Sequence, residues 1–137
     1  MSYDIVNNGI KGIVTALGFA PSQYSSIDSV PSEEVGNTFL LTPISGQNDE
    51  KSSETLSLLY DIQIWELQIA FQKSNQNQSI NFDEINRKRD QLIREIDDPA
   101  NWESYVRIQK YLNWRIEEKK NFYLLTMQIK IIDTITY

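Results

Sequence analysis

The chain contains no cysteine and no histidine. Those two absences remove disulfides, thiolate zinc sites, thiol nucleophiles, imidazole bases and most transition-metal centres. Without a histidine, Ser57, Tyr60 and Asp61 cannot be assembled into a serine triad. A phosphate-cradling loop is also missing, because Gly9-Ile10-Lys11-Gly12 has neither a strand before it nor a Ser or Thr after the lysine. No apolar run approaches the roughly 20 residues of a membrane span. Residues 1–18 lack the basic start and unbroken apolar run of a secretory signal. The formal charge of −6 argues against a groove that grips nucleic acid by neutralising phosphates, and suits a surface that repels them. An oxygen-only Ca²⁺ or Mg²⁺ site is the metal chemistry left open, but the acidic cluster Asp49, Glu50 and Glu54 has no calcium-loop spacing. The expectation is a protein that is not an enzyme, holds no cofactor or metal, and resides in the cytosol or in a particle assembled there.

What is present suffices for one folded domain. At 137 residues the chain matches the usual domain size, and 40% of it is apolar, with 3 Trp, 7 Tyr and 5 Phe. The organising stretch is 56–73, LSLLYDIQIWELQIAFQK. Its apolar residues alternate as Leu56, Leu58, Tyr60, Ile62 and Ile64, then change parity to Trp65, Leu67, Ile69 and Phe71. Both halves have the two-residue period of a strand with one buried face. The parity change predicts either a bulge or a different neighbour for each half. Fully extended, the stretch spans about 60 Å, against about 20 Å for an ordinary strand. Surplus strand of that length predicts pairing beyond the subunit.

The remaining elements follow in order. Asp4 can cap a helix over 4–17, in which Val6, Ile10, Ile13, Val14 and Leu17 recur at helical spacing and Gly18 is the stop. Gly9 and Gly12 lie inside it, either to admit another backbone closely or merely tolerated. Residues 19–36 form a long Pro/Ser-rich loop punctuated by Tyr24 and Ile27, which can pin it to a surface. A hairpin over 37–73 carries an acidic tip containing Asp49, Glu50 and Glu54; Pro43 confines part of it to an edge. A second helix spans 83–97 with Asp83 as its cap, and Asp98-Pro99 can cap one more turn containing Trp102. Residues 105–137 read as a strand pair turning at 119–121, although 105–118 also fits a helix. The fold class is therefore α+β: a mixed or antiparallel sheet of about four strands with a long hairpin, packed by two helices. Of the three tryptophans, Trp102 and Trp114 are expected in the core. Trp65, at the parity change, is expected as a contact anchor beside Ile64 and Leu67.

The helix ending in Ala16-Leu17-Gly18-Phe19, the loop Pro31-Ser-Glu-Glu-Val-Gly-Asn-Thr-Phe before a strand, the long hairpin, the second helix and the closing strand pair resemble, in element order, the tail terminator proteins of long-tailed bacteriophages. The resemblance implies a virion protein assembled in the host cytoplasm. It implies a self-assembled ring, usually a hexamer, that caps the tail tube protein, stops its polymerisation and meets the head-tail connector. DNA passes through such a ring without specific binding. On that basis Ile64, Trp65, Leu67, Tyr24, Ile27, Gly9 and Gly12 are expected at subunit, tube or connector interfaces, and Asp49, Glu50 and Glu54 along the lumen. Two other readings are a different neck or tail component, such as a head-completion or tube protein, and a non-viral cytosolic ligand-binding or adaptor domain.

Overall fold

The computed structural model describes residues 2–22, 37–49, 58–72, 78–102, 106–119 and 122–136. Helix α1 (Ser2–Ala16) forms where Val6, Ile10, Ile13 and Val14 recur on one face, and all four are buried. It starts two residues before the expected cap, so Asp4 lies in its first turn, where the helix dipole favours a carboxylate. It ends as the sequence predicts. Gly18 takes φ +100°, its N–H donates to Thr15 O at 3.0 Å, and the Phe19 N–H reaches back to Val14 O at 3.4 Å. These are the two bonds of a Schellman motif, closed by Phe19 and Val14 burying in the same core.

Five strands follow: β1 (Ala20–Pro21), β2 (Thr38–Asp49), β3 (Leu58–Gln72), β4 (Val106–Glu118) and β5 (Phe122–Thr136). They make one sheet in the order β1-β2-β3-β5-β4, with β1 parallel to β2 and every other pair antiparallel. The α+β class and the two long hairpins agree with the sequence reading, and residues 106–118 are strand rather than helix. The fifth strand is the two-residue β1, at the start of the segment expected to be all loop. Asn37 ties it in. Its φ of +61° is a conformation asparagine tolerates; its N–H donates to Ala70 O at 2.9 Å, and its carbonyl accepts from Ala20 N at 3.0 Å.

The parity change in β3 has a specific origin. β3 pairs with β5 from Leu58 opposite Thr136 to Gln72 opposite Phe122 with no slip. The irregularity sits in the other neighbour, where β2 slips between Pro43, opposite Trp65, and Ser45, opposite Ile64, leaving Ile44 as the extra residue. Over 62–72, where its side-chain burial is described, the strand keeps one face to the core: Gln63, Trp65, Leu67, Ile69 and Phe71 are all buried, while Ile62 and Ile64 lie half-buried on the opposite face.

Both helices cover that buried side. α2 (Gln78–Asp97) contributes Ile85, Leu92 and Ile96 to the same core as Val6 and Ile10. It begins before the expected cap at Asp83, because the preceding polar stretch continues the helix. Phe82 in this first part lies against Tyr123, ring centroids 4.8 Å apart. Past its end, Asp98 Oδ1 accepts from Ala100 N at 3.0 Å and caps a short 3-10 turn, Pro99–Asn101. Trp102 then folds back and donates from Nε1 to Ile96 O at 2.6 Å. Its ring lies on Gly9, where an added Cβ would sit 2.5 Å from a ring carbon; a Cβ on Gly12 would meet nothing within 4 Å. The two glycines therefore behave oppositely. Gly9→Ala is expected to lower stability by about 1–2 kcal/mol by overpacking, and Gly12→Ala to raise it by about 0.5–1 kcal/mol through helix propensity, both read as shifts in urea midpoint at unchanged slope.

Candidate assembly surface

Along the part of β3 whose burial is described, 62–72, the buried row runs from Phe71 back to Gln63. Gln63, on the helix-covered side, is 8% exposed, and its Oε1 accepts the Trp65 indole N–H at 2.6 Å. This polar plug lets a tryptophan lie at the boundary of an apolar layer without stranding its donor. In the row two residues further out, Asn48, Asp61, Asp133 and Val106 are successive register partners. By length, the 15 residues of β3 span about 50 Å and the 20 residues of α2 about 30 Å.

The residues expected at interfaces divide accordingly. Trp65 and Leu67 are fully buried, so the expectation of Trp65 as a contact anchor is overturned. The physical reason is the unbroken register of β3, which keeps Trp65 on the helix-covered side with Leu67. Ile64 lies half-buried on the opposite face. Gly9 is occupied by Trp102, and Gly12 borders an open groove of about 250 Å³ with Asn8, Ala16 and Glu95. Asp49 ends β2. Tyr24, Ile27, Glu50 and Glu54 fall outside the described residues.

Three large apolar side chains among the described residues are exposed, and the sequence placed none of them at an interface: Ile44 and Trp114 are each 48% exposed, and Phe82 is 38% exposed. Ile44 is the bulge residue of β2, and the signal for it was Pro43, since proline inside a strand marks an edge or a bulge. Trp114 was expected in the core with Trp102, but it lies on β4, the outermost strand, where only one neighbouring strand can shelter it. Its cover is a cation: the Arg89 guanidinium from α2 stands 3.8 Å from the ring centroid. Arg89 Nη2 also reaches Asp90 at 3.3 Å, while its buried Nε and Nη1 find no acceptor.

Next to Trp114 on β4, Arg115 Nε donates to Glu117 Oε1 at 2.8 Å, and Lys119 approaches the other oxygen of Glu117 at 3.5 Å. The hydrogen bond from Arg115 holds the Glu117 carboxyl below its ordinary range and raises the Arg115 guanidinium. Both groups are largely exposed, so this is a fixed surface charge pattern and contributes little to stability.

A second groove, of about 380 Å³, opens between the end of α1 and the first half of α2. Leu17, Phe19 and Phe71 floor it, the two phenylalanine rings meeting edge-on at 5.4 Å, and Glu84, Arg87 and Lys88 stand at its side. Neither grouping contains a nucleophile beside a base.

No protein-family model and no curated protein matches this sequence. The placement of the tryptophans is directly measurable. In dilute solution of the single chain, acrylamide quenching is expected to fall sharply in Trp114→Phe and to change little in Trp65→Phe; strong loss of quenching in the second variant contradicts the buried position.

Proposed function

We propose that this chain is a structural subunit that assembles into a closed ring, and that the ring is the tail terminator of a long-tailed phage. In that role it caps the tail tube, stops its growth, meets the head-tail connector and lets DNA pass. The observation that carries the reading is a sheet of long strands whose two outer sides, β4 and most of β2, have no strand partner among the described residues. Such a sheet leaves backbone groups and strand surface that a copy of the same chain can satisfy. Supporting it are the charge of −6, suited to a conduit for a polyanion, and the absence of histidine and cysteine, which leaves few routes to catalysis.

The runner-up is a monomeric ligand-binding or adaptor domain, and the 380 Å³ groove floored by Phe19 and Phe71 favours it. The two readings part on mass. A terminator gives closed rings of uniform size in negative stain and light scattering, and no filaments at high concentration. A tube protein polymerises openly, and a ligand-binding domain stays single. Added to growing tubes of its cognate tube protein, the ring is expected to shorten them and to appear at one end only. Charge reversal at Asp49, Glu50 and Glu54 together is expected to slow DNA release while leaving ring formation intact; normal release from such particles removes the acidic-lumen part of the proposal.

A further inference from the structure

A strand in water satisfies its backbone fully only with a neighbour on each side. Among the described residues, the order β1-β2-β3-β5-β4 leaves two strands short of that. There, no strand pairs with the outer side of β4, and none with the outer side of β2 over residues 40–49, because β1 reaches only Thr38 and Phe39. Each of these stretches is about 30–40 Å long, well beyond the short edges that isolated domains tolerate.

The two edges are matched in three respects. β2 and β4 run in opposite directions within the sheet, so β4 of one copy laid beside β2 of another makes an antiparallel pair like those that join β2, β3, β5 and β4. Each edge bears one of the most exposed large apolar side chains among the described residues, Ile44 on β2 and Trp114 on β4. Their net charges differ in sign: β2 holds Asp49 and no base, whereas β4 holds Arg107, Lys110 and Arg115 against Glu117 and Glu118, with Arg115 already bonded to Glu117.

A single stagger brings these features together. Trp114 shares a row with Met127, Leu67 and Leu41, so Ile44 lies three residues, or about 10 Å, further along. Sliding the second copy by that amount sets Ile44 beside Trp114 and brings Asp49 level with residues 108–110, next to Lys110. A constant stagger at every junction tilts the strands against the axis of the array, as closure of a sheet into a ring requires. Both edges also carry irregularities, β2 at Ile44 and β4 between Ile108 and Lys110 and between Tyr111 and Asn113. Kinked edges do not pair with an arbitrary strand and so favour one register.

We infer that residues 40–49 of one copy pair antiparallel with β4 of the next, continuing one sheet across the subunit boundary with Ile44 packed on Trp114. The inference rests on the ring-forming reading for the identity of its partner, a second copy. The interface it describes is head-to-tail.

The absence of cysteine makes the test clean. The double variant Ile44→Cys, Trp114→Cys treated with a short bismaleimide is expected to give a covalent ladder ending at the ring's own number, and each single variant none. Cross-linking of a single variant, or no ladder in the double one, overturns the inference. In a second arm, Ile44→Lys and Trp114→Lys are each expected to sediment as monomers with unchanged far-UV circular dichroism. Self-association should be weakened roughly thirtyfold or more, as for loss of a hot-spot side chain. Mixed one to one they should form a heterodimer, since each retains the edge the other has lost. If wild type makes rings and both lysine variants still do, the edge pairing is wrong and the ring reading stands. If wild type is monomeric at high concentration, the ring reading falls with it.

Discussion

The packing of a short helical layer on a long sheet constrains everything else in this molecule. Trp65, Leu67, Ile69 and Phe71 meet α1 and α2 across one interface, and burying each such side chain contributes roughly 1.5–3 kcal/mol. Next along that buried row is Gln63, whose amide oxygen takes the Trp65 indole hydrogen. Beyond that point the strands continue, with Asn48, Asp61 and Asp133 in one register row and Leu59 opposite Ile135 in the next row of the same parity. Among the described residues, the face away from the helices holds a small apolar cluster of Ala70 and Leu124 with Leu40 and Phe122 beside it, and the half-buried Ile62 and Ile64 further along β3.

Much of this organisation was legible in the residues because local chemistry and tertiary packing agree there. The stop at Gly18, the end of α2 at Asp97 and the cap by Asp98 each depend on bonds within a few residues, and each falls where the sequence puts it. The class and the strand pairs were legible from periodicity. The failures were cases in which the deciding atoms belong to another strand. The parity change at Ile64 and Trp65 is visible in β3, but its cause is one additional residue in β2. Read along a single strand, that change suggests an outward-facing tryptophan; with the register of β5 in hand, Trp65 has to face the helices. Trp114 erred in the opposite direction, since its exposure follows from being on the last strand of the sheet, a property of strand order that periodicity does not carry. The two-residue β1 is too short to leave any pattern and exists through backbone bonds to Asn37 and Phe39.

The candidate surface was legible in kind and not in detail. Excess strand pointed to pairing outside the subunit, but the stretch that carried the signal, β3, proved to be the central strand with neighbours on both sides. Among the described residues, the outer edges without a strand partner belong to β2 and β4. Arg89 connects one of these edges to the helical layer, since its guanidinium rests on Trp114 while its backbone belongs to α2. A contact made at Trp114 therefore presses on the same helix that supplies Ile85 and Leu92 to the core. Under the proposed assembly, joining of subunits and firmness of each subunit's interior are coupled through that one stacked pair.

The peptide group of Asn37 has a consequence of another sort. It bonds β3 through its N–H and β1 through its carbonyl, and the Ser22 N–H reaches Phe39 O at 2.8 Å. Residues 20–22 and 37–39 are thus held side by side by main-chain bonds that no side chain dictates. A non-proline replacement at Ser22 or Thr38 leaves each of these rungs in place, whereas one at Asn37 must tolerate a left-handed backbone to keep two of them.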